Sequence, residues 1–233
     1  MRKILGALTI VAVVVAASPV GAALTTDDHN DHVRAVVLFV GDSNETFGAN
    51  RIVWTLTWDD HNDNGYIPVM ASRVGAGIRT PDCLDPTSCS TNDYWQVKLG
   101  ELGARVQPDV IVNNLGINDT ESPGTQTTLG YANYSKKIDW FMSLVPPTTP
   151  VLWTNLPCSI EPADRASGCA TVNYSLALAT KRWSNVVVVD WASAARLHPE
   201  YMTTDPDSIH LGSAGQQAWA DAVAAALDAR FPS

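Results

Sequence analysis

Val33-Arg34-Ala35-Val36-Val37-Leu38-Phe39-Val40-Gly41-Asp42-Ser43-Asn44 decides how the chain folds. Apart from Arg34 its first eight residues form one continuous apolar run. A strand with one face in water would alternate apolar and polar residues, so this one is expected to be buried on both faces. Similar short runs recur at 67–74, 110–115, 151–156 and 186–189. Between them, helical periodicity marks 94–102, 129–144 and 172–183, and an Ala-rich helix is expected over 214–231. Strands alternating with helices imply parallel pairing with right-handed crossovers. The expected fold is therefore an α/β, three-layer α/β/α sandwich on a mostly parallel five-stranded sheet. The long connections at 76–92, 157–170 and 192–212 are then expected to be active-site loops.

Upstream of this domain, Arg2 and Lys3 precede an apolar run over 4–17, then Ser18-Pro19 and small residues through Ala23. That is the layout of a secretory signal peptide. The run is shorter than the roughly 20 residues that span a bilayer. Residues 1–22 are accordingly expected to be removed, with cleavage after Ala22 or Ala23, leaving residues 23–233 as a single exported domain. The formal charge is −9 with no Lys/Arg cluster, which argues against nucleic acid and anionic membrane surfaces, and no later apolar run is long enough for membrane insertion. In an exported protein, the close pairs Cys83/Cys89 and Cys158/Cys169 read as two local disulfides, although four cysteines permit three connectivities.

Two other features carry less. Asp60-His61-Asn62-Asp63-Asn64-Gly65 opens like a calcium loop, but the twelfth position is Ala71 where a bidentate Glu is needed, and a solvated acidic turn is the better reading. Trp54 and Trp58 lie four apart, as a sugar or acyl platform would require; core packing is the favoured reading for both. No metal or cofactor is called for by any motif.

The chemistry lies at the strand ends, where open parallel sheets bind ligands. Ser43 follows the first strand, with Gly41 permitting a tight turn and its own N–H available to donate. A serine needs a base, and Asp207-Ser208-Ile209-His210 stands just before the last helix. A spacing of three places Asp207 and His210 on one side of a turn, so that Asp207 can orient an imidazole whose other nitrogen faces Ser43. The third strand leads into Leu115-Gly116-Ile117-Asn118-Asp119, where the Asn118 amide can donate to an oxyanion.

Gly-Asp-Ser-Asn at 41–44, Gly-Ile-Asn-Asp at 116–119 and Asp-Ser-Ile-His at 207–210, in this order, resemble the blocks of the SGNH or GDSL hydrolases, a family of esterases, lipases and related acyl-processing enzymes. The resemblance implies a flavodoxin-like sandwich with Ser43 as nucleophile, His210 as base and Asp207 as its partner. It also implies an oxyanion hole from the Ser43 N–H, the Asn118 amide and a glycine N–H, assigned to Gly75 with Gly77 as the alternative. Asn44 stands where the family name has Leu, a position that carries no chemistry in this reading.

The implied activity is cleavage of a carboxylic ester of a lipid, glycan or small alcohol through an acyl-serine. Two alternatives remain open: an acyltransferase with the same triad, and a non-catalytic carbohydrate-binding protein. The motifs do not encode acyl length or oligomeric state. Four sequons begin at Asn44, Asn118, Asn133 and Asn173; a glycan on either of the first two would obstruct the site.

Overall fold

The computed structural model describes residues 33–57, 65–72, 74, 76–78, 105–120, 130–158, 163–203 and 209–232, with the side chains of 130–133 and 163–167 excepted. Expectations for the leader, for Cys83 and Cys89, for a helix at 94–102 and for the acidic turn at 59–64 fall outside these residues.

Five apolar runs become strands: β1 (Ala35–Val40), β2 (Tyr66–Met70), β3 (Val110–Asn113), β4 (Val151–Thr154) and β5 (Val186–Val189). They form one sheet in the order β2-β1-β3-β4-β5, and every pairing is parallel. The order reverses between β1 and β3, because the chain steps from β1 to β2 on one side and then to β3 on the other. In such a sheet the crevice at the carboxyl ends of those two strands is where ligands bind.

Both faces are covered over the three central strands β1, β3 and β4, as continuous apolar runs require, whereas Ile67 of β2 and Val187 of β5, on the edge strands, are exposed. Helices α2 (Gly130–Ser143) and α3 (Ala163–Arg182) lie on one face. There Ile138, Phe141, Leu176 and Ala179 pack on Leu38, Val40, Ile111 and Trp153. On the other face are α1 (Ser43–Thr57), α4 (Trp191–Leu197) and α5 (Ser213–Arg230). Ile52, Leu56, Trp191, Trp219 and Val223 of these helices meet Val37, Phe39, Val112 and Leu152. The alternation of Val37 and Phe39 with Leu38 and Val40 between the two cores is the period-2 geometry of a strand with no wet face.

Three segments differ from the sequence-based reading. Residues 43–57 are helical, so β1 runs through a turn of two residues directly into α1. The presumed loop at 157–170 is helical from Ala163 onward. The connection at 192–212 contains α4, capped by the Asp190 side chain accepting from the Ser193 N–H at 3.3 Å, and a 3-10 turn at Pro199–Tyr201. Cys158 and Cys169 are joined in a disulfide, with Cα atoms 5.4 Å apart. Among the described residues no helix is long and apolar enough to cross a membrane.

Candidate active site

The turn after β1 sets the geometry of Ser43. The Asp42 carbonyl accepts the first helical bond from the Thr46 N–H at 3.0 Å, and Asp42 Oδ1 accepts from the Asn44 N–H at 2.9 Å. Asp42 is thus the N-cap of α1 and Ser43 its first residue. A side chain there starts at the carboxyl edge of the sheet, and the backbone N–H of the same residue has no carbonyl of its own helix to bond and belongs to the positive end of the helix dipole. Ser43 is only 3 % exposed, and its Oγ lies 3.1 Å from His210 Nε2. With Nε2 unprotonated, the hydroxyl donates to the ring and is poised to lose its proton as it attacks an electrophile.

His210 reaches this place between two anchors. Ile209 is buried in the core of one sheet face and Leu211 in that of the other. The Thr203 N–H donates to the His210 carbonyl at 2.8 Å, and Leu211 bridges antiparallel to Met202. The Phe47 ring, 56 % exposed on α1, lies 5.6 Å from the imidazole centre to centre.

Asn118 lies in a 3-10 turn at Ile117–Asp119, which begins after Gly116 at φ 139, a conformation that favours glycine. Its Nδ2 donates to the Ala76 carbonyl at 2.8 Å, leaving the second hydrogen of the same amide for another acceptor. Asp119 fastens the same loop from the other side. Its Oδ2 accepts from the Ile78 N–H at 2.5 Å and its Oδ1 from Lys137 Nζ at 2.7 Å, and a Cβ on Gly77 would stand 2.8 Å from Oδ2. Residues 118 and 119 therefore pin the segment after β2 that was expected to supply the third oxyanion donor. Of the two glycines considered, Gly77 lies against Asp119, and Gly75 is outside the described residues, as is Asp207.

Beneath the nucleophile two carboxyls are fully buried. Burial pushes Asp42 up to about 7, against the opposing bond from the Asn44 N–H. Burial also raises Glu45 well above the usual carboxylate range, and the neighbouring Asp42 charge adds to it. The physical cause is the same for both: a charge at this depth has lost its water.

Several residues at the site were not legible beforehand as functional. Asp42 caps α1, Asp119 clamps the second-strand loop, and Asn114 Oδ1 accepts from the Asp42 N–H at 3.2 Å, tying β3 to the nucleophile turn. Trp54, expected in the core, is instead 57 % exposed, two turns beyond Phe47 on α1. Among the described residues no cluster of three or more acidic, His or Cys side chains is arranged to hold a metal.

A five-stranded parallel sheet of this order between two helical layers, with a hydroxyl held against an imidazole at the carboxyl end of β1, defines a three-layer α/β/α sandwich of the flavodoxin-like kind. The model of the GDSL-like lipase/acylhydrolase family matches residues 39–218, and the chain belongs to that family. Solved structures agree in fold. The lipase/acylhydrolase from Enterococcus faecalis superposes with a TM-score of 0.60 at 13% identity, over 84% of this chain and 96% of that one. The catalytic domain of peptidoglycan O-acetyltransferase A from Streptococcus pneumoniae gives 0.56 at 19%, over 83% and 92%. The acetyl xylan esterase AlAXEase gives 0.58 at 18%, over 82% and 99%. A search of curated proteins gives no match.

Proposed function

We propose that the protein is an exported serine esterase that hydrolyses carboxylic acyl esters through an acyl-serine intermediate. The observation that carries this reading is the 3.1 Å approach of Ser43 Oγ to His210 Nε2 at the N-terminus of α1. Ser43 Oγ attacks the ester carbonyl carbon while its proton passes to Nε2. The negative charge that develops on the carbonyl oxygen is met by the Ser43 N–H, the free hydrogen of the Asn118 amide and the Gly75 N–H. Glycine at 77 has a sufficient reason in its packing against Asp119, which favours Gly75 as the third donor. The bond to the alcohol oxygen then breaks, and His210 returns the proton to that oxygen. Water, deprotonated by the same nitrogen, releases the acid and restores Ser43. Asp207 holds the imidazole in the required tautomer.

Export is supported by the leader-like residues 1–22 and by the Cys158–Cys169 disulfide, a bond that persists in oxidising compartments. The substrate is an acyl ester of a small alcohol, glycan or lipid, and no cofactor enters the mechanism. A panel of acyl esters of increasing chain length, run on wild type and Ser43→Ala, tests the reading. Hydrolysis by wild type that is lost in Ser43→Ala supports it; equal rates contradict it. Because an O-acetyltransferase domain shares the fold, the panel includes sugar acceptors. Acyl transfer in preference to hydrolysis would assign the same acyl-serine to a transferase.

A further inference from the structure

The base of the proposed reaction sits on a segment remote in sequence from the nucleophile, and one side chain joins the two. Asn44 Nδ2 donates to the Ile209 carbonyl at 2.9 Å, and the Leu211 N–H donates to Asn44 Oδ1 at 2.9 Å. These are the two peptide groups on either side of the His210 Cα. The amide thus pairs with the backbone around His210 much as a neighbouring strand would.

We propose that Asn44 is a positioning residue for the base: its side-chain amide clamps the backbone on both sides of His210 and thereby holds the imidazole at Ser43. This inference rests on the assignment of Ser43 and His210 given above. The clamp is rigid at its own end, because the Asn44 N–H is held by Asp42 Oδ1 in the first turn of α1. Nucleophile and clamp are consecutive residues of one helix, so any displacement of α1 carries both together. Two bonds of opposite sense also fix more than one would. A single bond lets the segment pivot, whereas a donor and an acceptor separated by one residue fix its direction and its register along the chain.

The residue type matters for the same reason. Asparagine offers a donor and an acceptor on one short planar group. Leucine, the residue of the family name, offers neither, and aspartate lacks the donor. The departure at 44 is thus a change in how His210 is held. The other supports act on different atoms: the Thr203 N–H on the His210 carbonyl, and the buried side chains of Ile209 and Leu211 on the two cores. The pairing also occupies the Asn44 amide nitrogen, the atom a glycan at this sequon would need.

A misplacement of about 1 Å at a reacting group can cost roughly 10²-fold in rate. Asn44→Leu is therefore expected to lower kcat on an acyl ester by about 10- to 10²-fold with KM within about threefold, and to slow fluorophosphonate labelling of Ser43 in parallel. Amide hydrogen exchange at Leu211, protected in the wild type, should become faster. Should Asn44→Leu fail to fold, Asn44→Asp, close in shape but placing a carboxylate oxygen against the Ile209 carbonyl where the donor stood, is measured in the same way with the same expected direction. A folded variant of either kind with kcat within twofold of wild type overturns the proposal, as does a loss of rate that tracks only the unfolded fraction. If the wild type and Ser43→Ala prove equally active or inactive, the esterase reading fails instead. Exchange at Leu211 then still decides whether the clamp exists, and unchanged protection in Asn44→Leu removes it.

Discussion

Asn118 donates from Nδ2 to the carbonyl of Ala76, 42 residues earlier in the chain, at 2.8 Å. One amide group therefore has two tasks in the proposed mechanism: one hydrogen fixes the loop after β2, and the other meets the oxyanion. Asn118→Ala is expected to lower kcat by about 10² to 10³ with a smaller change in KM, because the oxyanion bond strengthens only as charge develops. The same substitution strands the Ala76 carbonyl and should cost about 1 kcal/mol of stability, a fall in Tm of roughly 2–4 °C. Kinetics per folded molecule and a melting curve separate the two effects. A destabilised variant with wild-type kcat would leave Asn118 a purely structural residue.

The buried carboxyl of Asp42 predicts a stability that depends on pH. Its pKa rises from 3.8 to about 7 on folding, so in that interval the unfolded chain releases a proton that the folded chain keeps. The contribution is fully present below about pH 4 and is lost as pH climbs to about 7, with Glu45 displaced in the same direction. Asp42→Asn keeps an oxygen for the helix cap and removes the titration. The difference in Tm between variant and wild type should move in the variant's favour between pH 4 and pH 8. A difference independent of pH would show that Asp42 does not titrate there.

How the sequence carries this structure is seen best where it failed to. The strands were legible because each lies in a short, largely continuous apolar run, and β5 occupies the expected 186–189. Helix α1 was not, because Phe47, Val53 and Trp54 are exposed on it and blur the amphipathic period, while Asn44, Thr46, Gly48 and Thr57 are weak helix formers. The early start of α3 was hidden by Gly168, an unfavourable helix residue whose missing side chain lets Thr120 approach; a Cβ would lie 3.1 Å from the Thr120 Cβ. At the site, the positions of Ser43 and Asn118 after strand ends and of His210 before the last helix were legible from the motifs. The clamp from Asn44 was not, since it joins residues 165 and 167 positions apart, and only the departure from the family name at 44 marked the place.

Phe47 should influence which alcohols are accepted. In the proposed mechanism His210 Nε2 must reach the leaving oxygen, so the alcohol portion departs on the imidazole side, where the Phe47 ring stands 5.6 Å away. Phe47→Ala should raise KM for esters of aryl or sugar alcohols by about threefold to tenfold, as expected when roughly 1 kcal/mol of apolar contact is lost. Methyl esters of the same acid should be little affected. A uniform change across both groups would place Phe47 outside the alcohol site.

The disulfide between Cys158 and Cys169 ties the segment after β4 to the first turns of α3, with a sequence separation of 11. Its reduction should lower stability by about 2–3 kcal/mol, as for other loops of this length. Peptide mapping without reduction should recover Cys158 joined to Cys169 and, by the same local pairing, Cys83 joined to Cys89. A crossed linkage between the two pairs would contradict local pairing and join two segments far apart in the sequence.

The central claim is that Ser43 is the nucleophile of an acyl-transfer site, and covalent labelling tests it most directly. A fluorophosphonate reacts with a serine only where a base and an oxyanion hole act on it together. Mass spectrometry of the labelled, folded protein should find one adduct, on Ser43, that is abolished in Ser43→Ala and strongly slowed in His210→Ala. An adduct on another serine, or none on a protein confirmed to be folded, would contradict the account.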